Sequence, residues 1–342
     1  MSLKKDTLDI EVKGIVSVLP KRKIDNTFFN KFFEKKTVKD ITSITGVNTR
    51  YWSDQKQTSK DLCLDAAKKL IEGLSIEPET IEAIIFITQT PDYVIPGNSF
   101  FIHKNLNLNS NCYCTDINSG CSGYVNGLAT AKDLILARGY KRLLLLAGDT
   151  ISKTLNIKNS STSLIFGDAG TATLIEASNK NQNQTFFSFG SDGNGSDSLI
   201  MQNSLFRDLS DLGNKETSLY MNGSNVFNFT IQRIPKFIEE LAAKKNQSID
   251  KFDYILMHQA NKFLINHIRK KLGLSSEKIP INIDSFGNTS CASIPLIICS
   301  NLKERFKKNF FNCALIGFGV GFSWAGIAIN LGPIEFLDLH YS

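Results

Sequence analysis

The sequence predicts an α/β protein made of two similar halves, and three observations carry that expectation. Short apolar runs alternate with amphipathic stretches along most of the 342 residues, the pattern of strands joined by crossover helices. The same order of elements occurs twice. The composition, 42% hydrophobic and 21% charged, is that of an ordinary folded chain long enough to bury a large core.

In chain order, residues 8–19 alternate as a strand that Pro20 closes. A Lys- and Phe-rich region follows to about Asn48. Residues 58–73 place Leu62, Ala66, Leu70 and Gly73 at helical spacing behind Thr58 or Ser59 as N-cap. Ala83–Thr88 is a buried strand that leads through the turn Gln89–Tyr93 to a helix from about Asn98. Strand 112–118, helix 122–138 and strand 142–147 then alternate, which implies parallel strands with helices on both faces. Residues 163–175 read as two strands about a Gly/Asp turn and close a first half, 1–177.

A second half, 178–342, repeats that order after a polar stretch, roughly 178–218, rich in Asn, Gln, Gly and Ser. It runs through helix 226–244, strand Tyr254–Met257, a further helix, a short strand near Ile281, the apolar helix 291–302 and two closing strands from Ala314. The turn before Cys121 then matches the turn at Asn288, and the turn after Ile87 matches the one at His258. Halves facing each other across a pseudo-two-fold axis bring these strand ends to one crevice, where open α/β sheets bind ligands.

The net charge is +6 and is spread along the chain, which favours an acidic partner and, with no recognition motif, argues against nucleic acid. No apolar run has the length of a membrane span, and the N-terminus lacks a leader pattern, so a soluble cytoplasmic protein is expected. Seven cysteines fit a reducing compartment. Cys112-Tyr113-Cys114 has strand spacing and no second pair at zinc-ligand spacing, so it reads as core packing and no metal is expected.

Cys121 lies in Ser119-Gly120-Cys121-Ser122-Gly123, between a strand and a helix. A thiol at a helix N-terminus faces unpaired N–H groups and the positive end of the helix dipole, both of which favour thiolate. Cys121, His258 and Asn288 sit on three equivalent loops. Taken singly each is an ordinary residue for its place; together they supply the nucleophile, acid/base and amide donor of thioester acyl transfer. The Gly-rich run 317–321 adds backbone N–H groups, and those of Val320 and Cys121 itself would form an oxyanion hole.

These residues carry a resemblance. The Cys121 motif, His258-Gln259-Ala260-Asn261, Gly287-Asn288-Thr289-Ser290 and Gly319-Val320-Gly321-Phe322-Ser323-Trp324 occur in the order of the β-ketoacyl-acyl carrier protein synthase III family. Thr90-Pro91-Asp92-Tyr93, Ile165-Phe166-Gly167-Asp168 and Met221-Asn222-Gly223 extend the likeness over about residues 8–330. The resemblance implies a thiolase-like, five-layered α-β-α-β-α sandwich. It implies a decarboxylating condensation in which acyl-Cys121 reacts with malonyl-acyl carrier protein, with no permanently bound cofactor. His258 and Asn288 would hold the enolate, and Phe318 would disfavour the malonyl carboxylate. The family's homodimer would bring Ile95 of one subunit to the acyl pocket of the other.

Family members primed by acetyl-coenzyme A grip the nucleotide with an aromatic residue and arginines; here Asp40, Ile44, Ser160 and Phe263 occupy those positions. Arginine is the strong phosphate ligand, so a carrier-borne acyl donor, or an unusual acyl group in a specialised rather than fatty-acid pathway, is expected over short acyl-coenzyme A. Lys262, Arg269, Lys270 and Lys271 after His258, with Arg233 and Lys236 on the preceding helix, would dock the acidic carrier. The competing expectation is a thiolase-fold acyltransferase that moves the acyl group to a hydroxyl or amine without condensation.

Overall fold

Near-continuous burial makes β1 (Asp9–Leu19) the strand around which the first sheet assembles in this computed structural model, which describes residues 8–179, 184–201 and 218–342. The short strands β2 (Lys23–Asp25) and β3 (Thr49–Tyr51) pair and flank α1 (Lys35–Thr45), which Gly46 ends in the left-handed region. The Lys- and Phe-rich region is thus an ordered cap whose Phe29, Val38 and Trp52 are buried together. A capping box starts α2 (Ser59–Gly73): Thr58 accepts the Asp61 N–H, and Asp61 accepts the Thr58 N–H.

β4 (Ala83–Ile87), α3 (Asn98–Asn105), β5 (Tyr113–Ile117), α4 (Gly123–Arg138), β6 (Arg142–Asp149), the one-turn α5 (Ser160–Ser163) and β7 (Ala169–Ser178) complete the first half. β8 (Phe186–Ser191), β9 (Leu199–Ile200), β10 (Tyr220–Met221) and α6 (Gly223–Lys244) open the second. β11 (Tyr254–Met257), α7 (Lys262–Lys271), α8 (Ile283–Phe286), α9 (Ser293–Asn301), α10 (Lys303–Phe306), β12 (Phe311–Gly319), β13 (Ser323–Leu331) and β14 (Phe336–Tyr341) follow.

One sheet has the order β14-β1-β7-β6-β4-β5 and the other β11-β12-β13-β8. Helices α4 and α9 lie between them. Tyr124, Leu128, Ile294 and Ile298 share one core with Ile85 and Leu145 of the first sheet and Leu256, Leu315 and Ile327 of the second. Leu62, Ala66 and Leu70 of α2 cover the outer face of the first sheet, and Ile234, Phe237 and Leu264 of α6 and α7 cover the second. Each fully buried Leu or Ile contributes about 2 kcal/mol, which fixes α4, and so the Cys121 turn at its head, against both sheets.

Two expectations are corrected. Residues 163–175 are not two strands: α5 and an irregular stretch holding a single bridge, Phe166 to Asn288, precede β7. No strand forms near Ile281, where Pro280 has no N–H to give a ladder. The alternating strands β4, β5 and β6 are parallel, as expected, while β7 joins the same sheet antiparallel to both β1 and β6. The C-terminal β14 pairs in parallel with β1. Of the polar stretch 178–218, residues 180–183 and 202–217 lie outside the described residues, and 186–191 is strand β8. Among the described residues no helix is long and apolar enough to cross a membrane.

Candidate active site

Cys121 sits in the turn between β5 and α4, two residues ahead of the helix. The end of β12 lies directly on it. A Cβ at Gly319 would stand 2.8 Å from the Cys121 sulfur, and one at Gly317 would stand 2.7 Å from the Cys121 carbonyl oxygen. Only glycine permits that approach. It brings the N–H of Val320 to the sulfur, which also meets the N–H of Cys121. Val320 and Cys121 are the two residues whose N–H groups the sequence singled out, and here both meet the sulfur.

The resting ionisation differs from the sequence expectation. Burial pushes the Cys121 thiol up to about 12, with Asp149 adding to the rise and the Val320 N–H opposing it. A helix terminus is worth about 1 kcal/mol to a nearby charge, less than the several kcal/mol that burying the charge costs. Cys121 is therefore a neutral thiol at rest.

His258 follows β11 and is 1% exposed. Its backbone N–H donates to the Ile316 carbonyl at 2.8 Å, tying the loop to β12. Its Nδ1 is 2.9 Å from Ser293 Oγ, and its ring stands edge-on to Phe318 with centroids 5.7 Å apart. Burial lowers the imidazole to about 4, so it is uncharged at neutral pH. Ser293 Oγ is also 2.9 Å from the Ser290 carbonyl. The hydroxyl serves either tautomer: it accepts from Nδ1–H while donating to Ser290, or donates to Nδ1 and leaves the proton on Nε2.

Asn288 is buried in a turn held from both sides. Its N–H donates to the Ile165 carbonyl at 2.9 Å, and its carbonyl accepts from the Gly167 N–H at 3.0 Å. Gly287 makes the turn possible with φ 70° and no room for a side chain against the Ile165 carbonyl. The Asn288 side-chain oxygen accepts from the Ser290 N–H at 2.9 Å. With its oxygen engaged, the amide presents its NH₂ group as the donor for a ligand.

Ser290 thus connects all three residues: its N–H holds Asn288, its carbonyl faces His258, and its side chain meets Cys121. Sequence reading missed Ser290, Ser293 and Asp149. The available signals were polar residues retained at the head of the apolar α9 and a carboxylate closing the apolar β6.

The remaining expected residues are scattered. Phe318 is buried against His258. Ile95 is 85% exposed on the loop before α3. Lys262, Lys270 and Lys236 are exposed and Arg269 is half-buried, while Lys271 Nζ donates to the Ile231 carbonyl at 3.0 Å. Arg233 forms a two-pronged ion pair with Glu240 and lies 4.8 Å over the Trp324 ring. Lys270 lies about 12 Å along α7 from Lys262, so these cations form a strip rather than one cluster.

At the mouth that the resemblance implies, α1 and α7 meet where the Lys262 stem covers Gly46. A recess of about 370 Å³ there is lined by Thr42, Ser43, Ile44, Asn48, Lys262 and Phe263. Ile44 and Phe263 are 56% and 53% exposed, and Phe263 stacks on Phe227. Asn48 donates its N–H to the Asp284 carbonyl, which links the recess to the arm carrying Asn288.

Residues 115–193 match the family model described as 3-oxoacyl-[acyl-carrier-protein] synthase III, and residues 242–331 match the model of its C-terminal region. The β-ketoacyl-[acyl-carrier-protein] synthase III of Clostridium perfringens is 33% identical over 316 residues, covering 91% of this chain and 96% of that one. The Staphylococcus haemolyticus enzyme of the same name is 31% identical over 326 residues, covering 95% and 100%. Among solved structures, the 3-oxoacyl-(acyl-carrier protein) synthase of Burkholderia xenovorans superposes with a TM-score of 0.94 at 40% identity, covering 98% of this chain and 97% of that one. The synthase III of Pseudomonas aeruginosa superposes with a TM-score of 0.86 at 27% identity, covering 95% and 99%. By these matches the chain, with its Cys121 turn, buried His258 imidazole and Asn288 amide, belongs to the 3-oxoacyl-[acyl-carrier-protein] synthase III family of condensing enzymes.

Proposed function

We propose that this protein condenses a carrier-borne acyl group with malonyl-acyl carrier protein through an acyl-Cys121 intermediate. The observation that carries the reading is the convergence of Cys121, His258 and Asn288 on Ser290 at the foot of the crevice. In the first step the Cys121 sulfur attacks the donor thioester carbonyl. The N–H groups of Cys121 and Val320 hold the oxyanion, and the departing carrier thiolate takes the thiol proton through neutral His258. In the second step malonyl thioester loses carbon dioxide. Its electron pair becomes an enolate held by the Asn288 NH₂ and by His258 with its proton on Nε2. The enolate carbon attacks acyl-Cys121, the C–S bond breaks, the β-ketoacyl thioester leaves, and the departing Cys121 thiolate takes a proton from solvent to restore the thiol.

The donor preference rests on the mouth. Ile44 and Phe263 offer no ligand to a nucleotide phosphate, and Lys262 supplies a single cation. A protein carrier whose apolar surface meets Ile44 and Phe263, with acidic groups along the Lys262–Lys270 strip, fits this rim. A homodimer is part of the same reading. β5 is an edge strand, and Tyr93, Val94, Ile95 and Phe100 expose an apolar patch beside it, which a second copy would cover. All seven cysteines are free thiols, which suits a cytoplasmic setting.

The test is intact-protein mass spectrometry of wild type and Cys121→Ala after incubation with acyl-coenzyme A and acyl-carrier thioesters. The expected outcome is an acyl adduct on wild type alone, formed from the carrier thioester and discharged by malonyl carrier with release of carbon dioxide. Discharge only by an alcohol or amine would make the protein an acyltransferase. No adduct from any donor would reduce Cys121 to core packing.

A further inference from the structure

We infer that α1 forms a second bank of the carrier-docking surface: a trough along its outer face, lined by Lys35 and Lys39, receives acidic side chains of the protein that brings the acyl or malonyl group. This rests on the condensing reading and deepens it, because it gives the carrier a surface on α1, across the recess from the Lys262–Lys270 strip of α7.

Lys and Arg occur throughout the chain, but their excess over carboxylates does not. Residues 21–50 hold eight Lys and Arg against three Asp and Glu, which is +5 of the net +6. Arg50 is buried, and the other seven are exposed on the cap formed by β2, α1 and their turns. Among the described residues no ion pair engages Lys35, Lys36 or Lys39, whereas Glu240 neutralises Arg233 on α6.

Lys35, Val38, Lys39, Thr42 and Ser43 share one face of α1 by their three- and four-residue spacing. With Asn26, Thr27 and Asn30 of the 3₁₀ turn Asn26–Lys31 they line a trough of about 460 Å³. It follows about 12 Å of helix, from Lys35 to Ser43. Thr42 and Ser43 also line the recess of Ile44, Lys262 and Phe263, so trough and recess adjoin. The wall facing α1 is held in place: Asn26 Nδ2 donates to Thr42 Oγ1 and to the Val47 carbonyl, both at 2.8 Å, and Asn26 Oδ1 accepts from Arg50 at 2.7 Å. Lysine carries a compact ammonium on a flexible stem. Two of them about 6 Å apart at 35 and 39 suit separate carboxylates on a protein surface better than one phosphate, which arginine grips in a fixed fork. A carrier whose acidic face meets both helices is centred on the recess between them, over Ile44 and Phe263.

The experiment measures binding of fluorescently labelled holo-acyl carrier protein by anisotropy, beside the KM for acyl-coenzyme A. It compares wild type, Lys35→Glu with Lys39→Glu, and a control of the same charge change, Lys307→Glu with Lys308→Glu, which precedes β12 at the end away from Gly319. The α1 pair should weaken carrier binding about tenfold at roughly 50 mM salt and less than about threefold at roughly 0.3 M, since screening shortens the reach of surface charge. The control should stay within about twofold of wild type. Cys121 alkylation by iodoacetamide should match wild type throughout, and its loss together with binding would mean a structural role only, overturning the inference. Carrier binding untouched by the α1 pair overturns the inference and leaves the condensing reading standing, whereas a wild type that binds no carrier removes both. Equal weakening by the control would assign the effect to net charge, and a rise in KM confined to acyl-coenzyme A would make the trough a nucleotide site; either result overturns the inference.

Discussion

The floor and the mouth of the crevice are built on opposite principles. At the floor every polar atom of Asn288 and His258 that faces the protein is engaged, and burial keeps both the thiol and the imidazole uncharged. At the mouth Ile44 and Phe263 stand open to solvent over a recess whose lining includes one cation. The difference teaches where this chain can vary. In the proposed reaction the floor is fixed by the chemistry of a developing oxyanion, which needs donors in place beforehand, whereas the mouth only has to recognise whatever carries the acyl group.

Breaking the floor should give the largest effect. Asn288→Ala removes one enolate donor and should lower decarboxylation on the order of 100-fold, while acylation of Cys121, followed by mass, continues. Equal loss of both steps would show that Asn288 supports the fold rather than the enolate.

Changing the mouth should cost nothing at the floor. Phe263→Arg restores a phosphate ligand and should lower KM for acyl-coenzyme A by about tenfold with kcat held. An unchanged KM would place the donor entrance elsewhere.

The smallest effect sharpens the contrast. Because burial lowers His258 to about 4, decarboxylation should change by less than about twofold between pH 8 and 5.5 and fall only as pH 4 is approached. The same shift gives a stability effect of defined sign. The unfolded imidazole, near 6.5, binds a proton more readily than the folded one, so His258's contribution is complete above about pH 6.5 and is lost as pH falls toward 4. Urea melts across that window test it, and a rate that halves near pH 6.5 would contradict the buried, uncharged imidazole.

Much of this was legible in the sequence. Apolar runs gave β4, β6, β11 and β12, and the Thr58 cap gave α2, because these signals are local. Cys121, His258 and Asn288 stood out because small residues and strand ends surround them. The residues 163–175 misled because an apolar stretch ending in Gly and Asp reads the same whether it pairs as a strand or touches Asn288 through one bridge. The thiol misled for another reason. A helix terminus can be read from sequence, but the burial that outweighs it is a property of the assembled halves.

By itself, then, the sequence determined the α/β order, the duplicated fold and the three candidate side chains, since periodicity and turn chemistry act over a few residues. The tertiary structure alone decided that β14 returns to β1, that Cys291 reaches Asp149, and that Ser293 stands against His258. Those are contacts between residues 35 to 322 positions apart, and only the packing of α4 and α9 between two sheets brings them within a hydrogen bond of one another.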